Sequence, residues 1–224
     1  FDVDTQLTTA KVKNFKLSSA SVGVLRSLYE VSLNQFLPIK FNGIDEVCLG
    51  FGGSTTYKIC LDVLTHNQFL VQDSSLFNSI TIIDDLSTGK RENINPKATF
   101  LKYNLCLIDT EKLIEICNGI KVIFHLAALA RVQPSIESPI DYNNANVNGT
   151  LNLLYAAYKA GVNRVVYSSS SSVYGDVEIF PTPETTELNP MSPYALHKLI
   201  GEQYCKLFSD LYEMETVCLR YFNV

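Results

Sequence analysis

The sequence predicts an α/β protein built on a doubly wound parallel sheet. Three observations carry that expectation. From about residue 45 short apolar runs alternate with helical segments, a glycine turn follows the first run, and chemically capable residues sit just after the runs. Strands that alternate with helices build a parallel sheet covered on both faces, and such sheets bind ligands at the carboxyl ends of their strands.

The elements follow in order. Glu46–Leu49 (EVCL) is a short strand, followed by the turn Gly50-Phe51-Gly52-Gly53 and a helical stretch. Ser79–Asp84 (SITIID) is a β-branched run that ends in two acids, Asp84 and Asp85. Residues 98–103 and 121–127 are further strands, separated by the helical TEKLIEICNG, which Gly119 stops. A long helix covers 144–160, with Gly161 where a left-handed cap is wanted. Arg164–Ser169 is a strand, and a turn-rich loop then carries Pro181, Pro183 and Pro190. Ser192 as N-cap and Pro193 at the first helical position open another helix, and Thr216–Phe222 is the last strand.

Composition limits the function classes. The chain has 224 residues with a formal net charge of −5, 46% hydrophobic and 18% charged, the profile of a folded globular protein. No basic block compensates the acidic balance, so neither nucleic acid nor an anionic membrane is an expected partner. No run of about 18 apolar residues marks a membrane span. The six cysteines are scattered singly, without metal-ligand spacing, which points to buried thiols in a reducing, cytoplasmic setting and to no metal. Residues 1–43 are expected to be an unassigned N-terminal extension, ordinary rather than targeting, ahead of a nucleotide-binding domain over 44–224. The chain begins at Phe1 and stops at Val224 within an apolar run, so it reads as a fragment, incomplete at its C-terminus.

Two motifs carry chemistry. Gly50 and Gly53, between a strand and a helix, suit close approach of a helix N-terminus to a pyrophosphate. Asp84 at the end of the second strand would accept hydrogen bonds from a ribose and repel a 2′-phosphate, favouring NAD over NADP. A plain βα turn explains the glycines equally well. Tyr194 and Lys198 stand at i and i+4 on one helix face, where the cation is expected to lower the phenol's pKa and make it a base. The chain holds 12 tyrosines, and Tyr155–Lys159 repeats the spacing without other signs of function. What distinguishes Tyr194 is the serine run Ser168–Ser172, which ends a buried strand and supplies hydroxyls beside it. His125, after an apolar strand, reads as a structural histidine, and Lys90-Arg91 as a solvated face.

The phrases FHLAALA (124–130), NVNGTLNLL (146–154), SSSSVYGD (169–176), SPYALHK (192–198) and LRYFNV (219–224) resemble the extended short-chain dehydrogenase/reductase family. Within it they look most like the NAD-dependent nucleotide-sugar epimerases, of the UDP-glucose or UDP-N-acetylglucosamine 4-epimerase kind. The resemblance is near continuous from residue 98, patchy over 45–97 and absent before 43. It implies a Rossmann-like fold with NAD as cofactor and a nucleotide sugar as substrate. Ser170 and Tyr194 would contact the sugar 4-hydroxyl, with Tyr194 as base and Lys198 holding its charge and the nicotinamide ribose. Hydride transfer from C4 to NAD would give a 4-keto sugar that rotates and is reduced on its other face. Cofactor positions fall on Gly50, Gly53, Asp84, Asp85, Leu105, Ala127, Ala128 and Leu129, with Tyr221 and Phe222 flanking the nicotinamide. Asn223, Ser171 and Arg131 would meet the substrate. A homodimer through the helices at 144–160 and 192–212 is implied as well.

Sister activities fit less well. The family's 4,6-dehydratases carry Thr-Asp-Glu before VYG and its decarboxylases keep a Glu there, whereas this chain has Ser170-Ser171-Ser172. The chain departs from the family in its glycine fingerprint, GFGGSTT, where Leu49 and Thr56 replace a Thr and a Gly. Asp84 also lies 34 residues after Gly50, which implies an insertion, and Asn104 stands where an Asp is usual near the adenine. Three alternatives follow: a non-catalytic nucleotide-binding or sensor protein, a UDP-glucuronate 4-epimerase, and a net oxidoreductase of the superfamily.

Overall fold

The computed structural model describes residues 46–51, 79–94, 96 and 98–222. Six strands form one sheet: β1 Glu46–Phe51, β2 Ser79–Ile83, β3 Thr99–Leu101, β4 Val122–Leu126, β5 Arg164–Ser170 and β6 Glu215–Tyr221. Every pairing is parallel, and the spatial order is β3-β2-β1-β4-β5-β6. The order reverses between β1 and β4, the switch point at which a doubly wound sheet opens a crevice for ligand. The expected fold class is therefore the one observed.

Five α-helices lie among the described residues: α1 Thr110–Cys117, α2 Val132–Glu137, α3 Pro139–Asn143, α4 Gly149–Lys159 and α5 Pro193–Tyr212. None is long and apolar enough to cross a membrane. Asp109 caps α1 by accepting from the Lys112 N–H, and Ser192 caps α5 by accepting from the Ala195 N–H. After α4, Gly161 turns left-handed at φ +70°, and the Val162 N–H closes back onto the Ala157 carbonyl. That satisfies carbonyls the helix leaves open. The core forms where α1, α4 and α5 cover the sheet, around the fully buried Ile123, Leu113, Leu153, Leu154, Val165 and Tyr167.

Three expectations shift. β1 runs on through Gly50 and Phe51, which pair with His125 and Leu126, so these two belong to the strand and not to the turn. The strand expected over 98–103 is only Thr99–Leu101. The helix expected from Asn144 begins with a π-helical turn, Asn144–Asn148, continuous with α3 before it. Such π turns are rare and concentrate at functional sites. Gly53, Thr56, Asn223 and residues 1–43 lie outside the described residues, as does the helical stretch expected after the glycine turn.

Candidate active site

Two clefts open at the carboxyl ends of the strands. The first is lined by Asp84 and Asp85 after β2, by Asn104 and Leu105 after β3, and by Ala127, Ala128 and Leu129 after β4. The second, about 880 Å³ and open to solvent, is lined by Arg131, Ser170, Ser171, Tyr194 and Phe222. Residues expected at the nucleotide end thus line the first cleft and residues expected at the reactive end line the second, while Lys198 and Tyr221 line neither. Gly50 sits within β1, between Ile83 of β2 and His125 of β4. Tyr221, the last residue of β6, pairs with Ser170.

At the nucleotide end the two acids are held in place by their own loops. Asp84 is buried, and its Oδ1 accepts from the Leu86 N–H at 2.7 Å. Burial raises its pKa, the Leu86 N–H offsets part of the rise, and neighbouring Asp85 adds to it. A Cβ on Gly89 would lie 3.1 Å from Asp84 Oδ2, so the loop folds closely over the carboxylate. Asp85 accepts from the Ser87 N–H and from Asn104 Nδ2, both at 2.8 Å. Here Asn104 serves better than an acid would: an Asp at 104 would set two carboxylates against each other. Each carboxylate keeps acceptor capacity beyond these bonds. With the methyl-sized Ala127 and Ala128 in the cleft lining, the residues present fit an adenosine ribose beside a dinucleotide backbone.

Two side chains unassigned from the sequence hold this end together. Asn146, in the π turn, accepts from the Leu129 N–H at 2.7 Å and donates to the Leu129 carbonyl at 2.8 Å. Asn152, in α4, donates to the Leu105 carbonyl at 2.8 Å. Both belong to the NVNGTLN segment, and each fixes the backbone of a cleft-lining loop. The signal was the segment itself; what it lacked was the partner, which lies 17 or 47 residues away.

The reactive end is built by β5 and the first turns of α5. Tyr194 donates its backbone N–H to Ser135 Oγ of α2 at 3.1 Å. Ser170, the last residue of β5, accepts from the N–H and the hydroxyl of Ser172 at 3.2 and 2.9 Å. Burial raises the Tyr194 phenol, hydrogen bonding to Ser170 works against that rise, and Tyr142 reinforces it. The expected lowering by Lys198 is therefore not what the fold produces. Lys198 is buried with its Nζ donating to the Ser168 carbonyl at 2.6 Å. The ammonium lies 5.1 Å from the Tyr167 ring centroid and 6.0 Å from that of Tyr194. Its charge is spent on a carbonyl and a second ring, while desolvation lowers its own pKa to about 8. Ser170, not Lys198, is the group that favours the Tyr194 phenolate here.

His125 is fully buried, with Nε2 at 2.8 Å from Thr150 Oγ1, and burial followed by the Lys198 charge lowers its pKa to about 3. It is a neutral structural residue, as the sequence suggested. Tyr155 is partly exposed on α4 with Lys159 5.4 Å from its ring, and it lines neither cleft. Lys90 and Arg91 are exposed. Arg131 adopts φ +84°, an uncommon conformation for a residue with a side chain and one that collects at functional sites.

The chain is similar in sequence and fold to known sugar-nucleotide epimerases. The UDP-glucose 4-epimerase of Mycolicibacterium smegmatis is 40% identical over 139 residues, covering 59% of this chain and 44% of that protein. The UDP-N-acetylglucosamine 4-epimerase of Methanobrevibacter ruminantium, solved with UDP-N-acetylmuramic acid, superposes with a TM-score of 0.70 at 35% identity. It covers 80% of this chain and 55% of the other. The Brucella ovis UDP-glucose 4-epimerase, solved with NAD, gives 0.70 at 28% identity, covering 80% and 52%. The chain spans about half the length of the curated relatives it matches. The family model described as the NAD dependent epimerase/dehydratase family matches residues 69–224. That match, which takes in more than half of the chain, shows that the chain belongs to this family.

Proposed function

We propose that the protein is a UDP-sugar 4-epimerase that uses NAD. The observation that carries this reading is the meeting of Ser170 and Tyr194 in one cleft, beside the buried Lys198, with no carboxylate in the Ser170–Ser172 run. NAD, when bound, supplies reversible two-electron oxidation at the sugar C4. Asp84 and Asp85 hold its adenosine ribose, and Ala127 and Ala128 leave room for its backbone. Tyr194 Oη takes the proton of the sugar 4-hydroxyl, and Ser170 hydrogen-bonds the same oxygen and steadies the developing phenolate. Lys198, committed to the Ser168 carbonyl, fixes the end of β5 beside that phenol and is assigned to the nicotinamide ribose. Once the 4-keto sugar has rotated and C4 has regained a hydride on its other face, Tyr194 returns its proton to the 4-oxygen, so that no net oxidation remains. Arg131, Ser171 and Asn223 are assigned to the substrate side, and Gly50, Gly53, Leu105, Leu129, Tyr221 and Phe222 to the cofactor side.

The reading extends to organisation: residues 44–224 act as the NAD-binding unit, α4 and α5 pair two copies, and the protein works in the cytoplasm. UDP-glucose/galactose and UDP-GlcNAc/GalNAc are the expected pairs. The test is to incubate the full-length protein with UDP-galactose, UDP-GalNAc and UDP-galacturonate and to follow the C4 epimers. Interconversion of either neutral pair supports the reading. Bound NAD without interconversion of any of the three rejects it in favour of a non-catalytic nucleotide-binding protein, and turnover of UDP-galacturonate alone points to a uronate 4-epimerase.

A further inference from the structure

Tyr194, Lys198 and Glu202 stand at i, i+4 and i+8 along α5, one stripe aimed at the end of β5. Each meets a different serine of the run. Tyr194 lines one cleft with Ser170, Lys198 donates to the Ser168 carbonyl at 2.6 Å, and Ser169 Oγ donates to Glu202 Oε1 at 2.5 Å. Glu202 is buried and also receives Arg220 of β6 in a two-pronged pair, Nε to Oε1 at 2.9 Å and Nη2 to Oε2 at 2.7 Å. The remaining arm of Arg220 donates to Tyr174 Oη at 3.0 Å and to the Glu184 carbonyl at 3.3 Å. Tyr174 in turn stacks on Phe222 at 6.1 Å, and Phe222 lines the reactive cleft.

We propose that the Glu202–Arg220 pair is a positioning device that sets the separation of Ser170 and Tyr194. This rests on the epimerase reading above. Neither side chain lines the cleft. Glu202 grips the residue next to Ser170 from the helix that carries Tyr194. Arg220 gathers the turn after Ser170, the 176–191 loop and the strand end that leads to Phe222. A buried ion pair is weak support for stability, because apolar replacements of both partners often fold equally well. A geometric role for the pair is therefore separable from a purely structural one.

The test uses E202Q in the full-length protein, which keeps an acceptor for Ser169 and the side-chain volume but removes the charge that orders Arg220. A displacement of order 1 Å at a reacting pair lowers turnover by roughly 10²-fold, so kcat should fall on that scale while KM stays within about threefold. A second readout does not need activity: titration of the Tyr194 phenol by tyrosine-selective carbon NMR, assigned with Y194F. The other groups facing that phenol are Lys198 on α5, Tyr142 on α3 and Tyr167 on β5, and the variant leaves all three in place. Removing an anion and freeing a cation nearby would lower the Tyr194 midpoint by electrostatics alone. Losing the Ser170 placement raises it, which is the expected result. An unchanged kcat, or a midpoint that stays or falls, overturns the proposal. If E202Q does not fold, the double variant E202M/R220M replaces it with the same two readouts. If the wild-type protein interconverts no UDP-sugar, the epimerase reading falls and the phenol titration alone decides the positioning role.

Discussion

Replacing Asn146 by Asp should destabilise the protein in a way that acid repairs. The amide acts at once as acceptor and donor toward the two backbone groups of Leu129, and the residue is only 1% exposed. An ionised Asp keeps the acceptor but loses the donor, leaving the Leu129 carbonyl facing a carboxylate. One lost hydrogen bond of about 1 kcal/mol and an unsatisfied buried partner of roughly 2 kcal/mol give a deficit near 3 kcal/mol. Expressed as linkage, 3 kcal/mol is about 2 pH units, which moves the folded-state carboxyl from ~3.9 toward ~6. The folded protein then binds the proton more tightly than the unfolded chain. The deficit is thus full above about pH 6 and shrinks as the pH falls toward 4, because a protonated carboxyl donates as the amide did. Urea unfolding of wild type and N146D at pH 7.5 and pH 4.5, compared as differences, measures it. Equal deficits at the two pH values, or none at pH 7.5, would refute the reasoning.

Four further outcomes can be checked together. Tyr194→Phe in the full-length protein should lower turnover by roughly 10²–10⁴-fold without releasing NAD, whereas Tyr155→Phe should change neither; equal rates for Tyr194→Phe and wild type would remove the base assignment. Gly201→Ala gains about 1 kcal/mol of helix propensity but places a Cβ 2.2 Å from the buried Tyr167 Oη. Overpacking of that kind costs roughly 1–3 kcal/mol, so the measured change should be a loss, and a thermal midpoint that rises would show that the contact relaxes freely. His125, whose pKa drops to about 3 on folding, makes stability decline on acidification from about pH 6.5, where the unfolded histidine takes up its proton. The decline approaches about 1.4 kcal/mol per pH unit from this group down to its folded pKa, and His125→Gln should flatten that slope by the same amount.

The sheet was legible because parallel, doubly covered strands are near-continuous apolar runs, and SITII, VIFHL and RVVYSS read that way. Ser170 and Tyr194 could be brought together because a strand end and a capped helix start deliver them to one edge, whereas Ala127 and Ala128 came from the family resemblance. Helices α2 and α3 gave no such signal: they are five or six residues long, contain Pro134 and Pro139, and are too short for a hydrophobic period. Asn146, Asn152, Glu202 and Arg220 were silent because their meaning lies in partners distant along the chain. The direction of the Tyr194 shift is hidden in the sequence for a related reason. An i, i+4 spacing brings the lysine near, but burial of the phenol and the competing Ser168 carbonyl are properties of the folded interior.

Ser135 bears on how such a cleft can change over time. Its hydroxyl donates to the Val132 carbonyl at 2.5 Å and accepts the Tyr194 N–H at 3.1 Å, and the side chain is fully buried. The wall that begins at Arg131 and the phenol across from it are therefore parts of one strut, joined through a single oxygen. A substitution that reshapes the wall for a bulkier ligand drags the phenol with it, so selectivity and rate share an inheritance at this position. Variants that broaden what the cleft admits should need a second, compensating change at the start of α5 before they recover speed.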